Sequence, residues 1–220
     1  MKKYFLALFL SIGFLNVFAQ KVDKNDSVQE LIKKGIELHD ERDYKQAIEA
    51  YKEALEIDPN SMLATYELAL SYLALRDYDN ASKLSKDVIN SKDEKLLSAA
   101  YRVKSQALVE KGKTDEAIAL LENAIKIIKN DYNLHFNLAL NYFNKGDLDK
   151  TIFHVDNALN LDKFQSGAYL LSAYALSDKE IWVQSILSFQ FFLLNEENSH
   201  RSKSAFEEML QIIHVKYTKE

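Results

Sequence analysis

Cysteine is absent from the 220 residues, proline occurs once and glycine five times. Without cysteine, a disulfide framework, a thiolate metal site and a lipid-bearing N-terminal cysteine are all excluded. Hairpin-rich β folds use glycine and proline to turn the chain, so their scarcity predicts helices joined by short polar turns. The five glycines, Gly13, Gly35, Gly112, Gly146 and Gly167, are too scattered to build a phosphate-cradling loop. No Lys/Arg-rich run occurs, and the formal net charge is −5. Polyanions are held by clustered cations that displace condensed counterions, so nucleic acid is not an expected partner.

Catalytic constellations are missing as well. Among His39, His135, His154, His200 and His214, no two stand three or four residues apart, and no HExxH occurs. Acid pairs such as Asp40-Glu41 and Glu207-Glu208 read as solvated faces and helix ends. No metal site, no cofactor and no catalytic residue is expected, so the chain is read as something other than an enzyme.

What the chain does have begins with an export signal. The first 20 residues are MKKYFLALFLSIGFLNVFAQ, a basic start followed by an apolar run that ends at Val17-Phe18-Ala19. An apolar run of about 15 residues is shorter than the roughly 20 needed to span a bilayer as a helix. Residues 1–19 are therefore expected to be a signal peptide, cleaved after Ala19. The style of the signal looks bacterial, and a periplasmic or secreted protein without a membrane anchor follows. Retention of the segment as an anchor is the competing reading.

Beyond it the sequence repeats. Small residues recur as Ala47, Ala81, Ala117, Thr151 and Ser185, with steps of 34, 36, 34 and 34. Gly35, Ala69, Ser105, Ala139 and Ala173 share those steps, as do Leu38, Tyr72, Leu108, Tyr142 and Leu176, and Tyr51, Ser85, Leu121, Val155 and Phe189. Small residues let two helices of a hairpin cross closely, while the large residues a turn away fill the layer between hairpins. One hairpin cannot bury its own apolar face, so stacking is obligatory.

This pattern resembles the tetratricopeptide repeat. The first copy carries it best, with Leu31, Gly35, Leu38, Ala47, Tyr51, Ala54 and the turn Asp58-Pro59-Asn60. The fold class expected is all-α: an α-solenoid of five helical hairpins (28–61, 62–95, 98–131, 132–165 and 166–199) after a linker at 20–27. Residues 200–220 then form a C-terminal capping helix and tail. Phe206, Met209, Leu210, Ile213 and Tyr217 fall at helical spacing there, suited to cover the apolar segment 186–194. Capping boxes are expected at Ser27-Val-Gln-Glu30 and Ser91-Lys-Asp-Glu94.

The resemblance implies that the first helix of each hairpin lines a concave groove for a protein or peptide partner. The groove residues are then Leu63, Tyr66, Leu70 and Leu73; Arg102 and Gln106; Phe136, Asn137, Leu140 and Phe143; and Leu170 and Tyr174. The first hairpin would add Ile32, Ile36 and His39. The cationic clamp of carboxylate-binding relatives is incomplete, with Ile32, Ile36, Glu67, Ala99 and Val103 in its places and Gly167 and Leu171 replacing later cations. An apolar, aromatic groove for a partner segment or helix is the expectation. Each leucine in it is equally read as core between hairpins, while Tyr66, Phe136 and Phe143 are read as groove. The function expected is a non-catalytic binding scaffold of the cell envelope. The alternative is a structural element, self-associating or membrane-anchored, that uses its divergent fifth hairpin and last helix.

Overall fold

The computed structural model describes residues 25–217. The expected signal peptide, residues 20–24 of the linker and the last three residues lie outside them. Among the described residues there are eleven helices and no strand. Helix α1 covers 25–40, followed by α2 (Tyr44–Ile57), α3 (Met62–Ala74), α4 (Tyr78–Ser91) and α5 (Leu97–Glu110). Then come α6 (Thr114–Ile127), α7 (Tyr132–Asn144), α8 (Leu148–Leu161), α9 (Ser166–Asp178), α10 (Trp182–Asn195) and α11 (His200–Tyr217). The chain divides between Val103 and Lys104 into two compact units, with α5 running across the boundary.

In the first unit α2 packs on α3 and α3 on α4. Its core holds Val28, Ile32, Ala47, Ile48, Tyr51, Ala54, Ala64 and Leu68. Gly35 faces Tyr51 so closely that a Cβ there would sit 2.4 Å from the ring. Glycine is thus what lets α1 lie against the Tyr51 ring. The ring is fully buried, and its hydroxyl has no hydrogen-bond partner.

In the second unit α6 packs on α7, and each later helix packs on the one before it. One core cluster joins Ala139, Val155, Ala168 and Leu171. A second joins Ala173, Phe189 and Phe192 to Ala205, Met209 and Ile212 of α11. Within both units the small-residue series is packed as its period implies, with Ala47, Ala81, Ala117, Thr151 and Ser185 all at 0% exposure.

One turn geometry closes all five hairpins. Residues 42, 76, 112, 146 and 180 have φ between 60° and 78°. Their amides bond the carbonyl three residues back, and the next amide reaches the carbonyl five back, as in Asp77 N to Tyr72 O at 2.9 Å. This is the Schellman arrangement, which satisfies the orphan carbonyls at a helix end. The residue after it then starts the next helix: Asp43, Asp77 and Asp147 each accept an amide hydrogen bond from three residues on. Glycine supplies the left-handed backbone at Gly112 and Gly146, whereas Arg42, Arg76 and Glu180 adopt it at a cost.

Three expectations are corrected. Ser27 does not start a helix, because α1 is already running at residue 25. Ser91 closes α4, its hydroxyl donating to Val88 O at 2.7 Å, and Asp93 instead accepts from Lys95 N. On α11 the buried stripe is Ser202, Ala205, Met209 and Ile212, while Phe206 and Leu210 stay exposed. The small Ser202 and Ala205 allow close packing of α11, which the larger Phe206 would prevent.

Candidate functional site

In the first unit the candidate residues Leu63, Tyr66, Leu70 and Leu73 recur three or four apart, which puts them on one face of α3. All four are half-buried, as is Arg102 on α5. Leu63 also packs on the unit's core. Burial raises the Tyr66 phenol above its usual range; the Glu67 charge adds to this and Arg102 opposes it. Glu67 is itself raised by burial and then by Asp40. Of the α1 positions, Ile32 is core and Ile36 is exposed. His39 Nδ1 meets Ser71 Oγ at 2.8 Å.

In the second unit Phe136, Asn137, Leu140 and Phe143 are half-buried on α7, and Leu170 and Tyr174 are half-buried on α9. Gln106 is exposed. Phe136 stacks on Tyr132 at 5.6 Å between centroids, and a Cβ at residue 167 would come within 3.3 Å of its ring. Gly167, where a clamp-type relative carries a cation, instead makes room for that aromatic. Phe136, Leu140 and Phe143 pack on the cluster around Val155 and Leu171, while Leu170 and Tyr174 pack on the cluster around Phe189. Tyr174 meets Phe189 edge to face at 5.4 Å. Leu140 and Leu170 thus share one flank with the core, and so do Phe136, Phe143 and Tyr174. No residue of α7 is charged, and Asn137 donates its side-chain amide to Asn133 O.

Two features escaped sequence reasoning. His135 and His154, 19 residues apart, meet across the α7–α8 hairpin with their Nδ1 atoms 3.1 Å apart. Tyr142 stacks on His154 and donates its hydroxyl to Glu122 at 2.5 Å, with Lys150 over its ring. Burial, and then the charge of His135, pushes His154 down to about 4. The two histidines stand on opposite sides of the α7–α8 turn, a relation visible only once the turn is placed. The second feature is that the most exposed large apolar residues lie outside the predicted set: Ile127, Phe153, Phe164 and Leu194 sit on or just after second helices of hairpins.

Among the described residues no group of three or more His, Asp or Glu is placed to hold a metal ion. Among them, too, no helix is long and apolar enough to cross a membrane. The α7 face offers apolar and aromatic surface beside the neutral amide of Asn137, whereas at the α3 face the charges of Glu67 and Arg102 act on Tyr66.

Comparison with known proteins gives the same architecture. The family described as TPR repeat matches residues 35–76 and 106–146. A TPR repeat-containing protein of Methanocaldococcus jannaschii is 24% identical over 176 residues, covering 76% of this chain and 30% of that protein. The chain spans less than a third of the length of the curated relatives it matches. A solved thermophilic TPR protein of Thermus thermophilus shares the fold at a TM-score of 0.70 and 20% identity, covering 84% of this chain and 100% of that one. YrrB, described as a TPR protein with an unusual peptide-binding site, aligns at a TM-score of 0.58 and 17% identity, over 86% and 97% of the two chains.

Proposed function

We propose that the chain is a tetratricopeptide-repeat protein and acts as a non-catalytic binding scaffold of the bacterial cell envelope. It takes a partner's apolar segment or helix on the inner faces of its first-in-hairpin helices. The observation that carries this reading is the make-up of α7. Phe136, Leu140 and Phe143 are only half-buried, on a helix with no charge to repel or select a charged ligand. Tyr66 offers a similar surface in the first unit. Apolar side chains with one flank on the core and one in water form rigid docking ground, because their rotamers are held before a partner arrives. The peptide-binding site in the printed description of YrrB supports a peptide or protein as the partner class.

Residence in the envelope rests on the apolar run at 4–18 and the Val17-Phe18-Ala19 end. N-terminal sequencing checks it: a chain beginning at Gln20 agrees, and an intact Met1 in the envelope fraction contradicts cleavage.

The binding claim is tested with the double variant Tyr66→Ala, Phe143→Ala, used as bait against envelope extract beside the unaltered chain. Partners identified by mass spectrometry should be captured markedly less by the variant, while its helical circular dichroism and cooperative melting stay close to the parent's. If the variant unfolds, these residues belong to the core and the assignment to a binding face fails.

A further inference from the structure

We infer that the outer face of α10 is a self-association surface, at which two copies of this chain meet helix to helix. On α10, Val183, Leu187, Phe191 and Leu194 are 58%, 48%, 49% and 76% exposed. Their spacing of four, four and three places all four in one stripe, about 16 Å long at 1.5 Å per residue. The opposite face of the helix carries Ser185, Phe189 and Phe192, fully buried, while in the stripe Phe191 lays one side of its ring on Tyr169 of α9, 5.3 Å between centroids, and leaves the rest in water.

The same places in the other second helices are built for water. In α2 they hold Lys45, Glu49, Glu53 and Glu56, and in α4 Asp79, Lys83, Asp87 and Asn90, all exposed. In α6 and α8 they are polar apart from Ala119 and Phe153. Only in the fifth hairpin are all four apolar. A repeat unit alone does not require this, and helix α11 leaves the stripe open.

The rim identifies the occupant. Helix α10 has no charged residue, and Gln184 and Gln190 flank the stripe, both exposed. A membrane surface or an acidic partner would be met by flanking Lys or Arg, and a basic partner by Asp or Glu. A two-fold contact instead sets the same patch against itself, so a rim of one charge sign would repel its copy. An amide carries both donor and acceptor and can pair with its own copy. For a chain of net charge −5, a neutral stripe with an amide rim is where it meets itself without repulsion. The four side chains leave on the order of 400 Å² of apolar surface in water, the size of patch that marks an interaction site. That is about half of what each partner brings to a standard interface, so the dimer should depend on concentration.

The test is light scattering on the chain as its cells process it, across a concentration series, beside the double variant Leu187→Gln, Phe191→Gln. The parent should approach twice the chain mass as concentration rises, and the variant should stay at the chain mass with unchanged helical circular dichroism. Leu194→Gln, at the most exposed of the four, serves in the same way if the double variant loses helix. A charge-swap control reads self-pairing directly. Leu187→Lys and Leu187→Glu chains should each stay monomeric alone and regain the doubled mass when mixed. A parent that stays monomeric throughout, one that only co-floats with anionic vesicles, or an oligomer untouched by these substitutions would overturn the inference.

Discussion

His154 shows how much a single residue's chemistry depends on its hairpin. Buried beside His135 and stacked on Tyr142, it is held neutral in the folded chain, down to about 4, while an unfolded histidine takes its proton near 6.5. The unfolded state therefore binds more protons between those values, and stability rises with pH across that window. Stability should be full above about pH 6.5 and fall by about 2 kcal/mol on the way to pH 4.5. Urea unfolding across that range measures it, and His154→Gln should flatten the slope; an unchanged slope would assign the loss to other groups. Some residues were legible and others were not, for a physical reason. Gly35 and the Ala47 series could be read because packing at a helix crossing demands small size at a fixed period. The histidine pair could not, since nothing in local spacing joins residues 19 apart. Phe192 is fully buried under the Arg201 guanidinium, 5.5 Å from the ring centroid.

At the scale of elements, the turns decide where helices end. The left-handed residue is glycine in two hairpins but Arg42, Arg76 and Glu180 in the other three, because the Schellman geometry imposes the backbone whichever side chain is present. An L-residue there costs about 1 kcal/mol, so Glu180→Gly should stabilise the chain by about that amount. Gly146→Ala should destabilise it by about the same. The midpoint of denaturant unfolding reads both, with an unchanged slope as the sign that only stability moved. Turn glycines could be read from the sequence, whereas the arginines and Glu180 could not. The capping box at Ser91 misled for a related reason: its hydroxyl finds a carbonyl inside α4 before any amide of α5. The docking face of α11 misled because Phe206 is the larger apolar group, yet close helix packing selects Ser202 and Ala205. Glu196 fixes the corner between α10 and α11. It bonds Arg201, Ser199 and Ser166, and the Arg201 bond first, then that from Ser199, holds its carboxyl down to about 2.

Across the whole chain, a 34-residue period and scarce glycine and proline were enough to read an all-helical repeat protein. Function was less legible, because the period specifies which residues are small and buried, not which half-buried faces a partner covers. Tyr66, Phe136 and Phe143 are half-buried on α3 and α7, and α11 leaves exposed Leu187, Phe191 and Leu194 of the segment 186–194 that it was expected to cover. The account therefore separates two surfaces: an inner one for partners and an outer one for a second copy. Photo-crosslinking in living cells tests the central claim most directly, with a benzophenone amino acid replacing Tyr66, Phe143 or, on the outer face of α4, Asp87. The account predicts adducts to another protein from positions 66 and 143 and none from position 87. Adducts from position 87 with none from the two aromatic positions would contradict it.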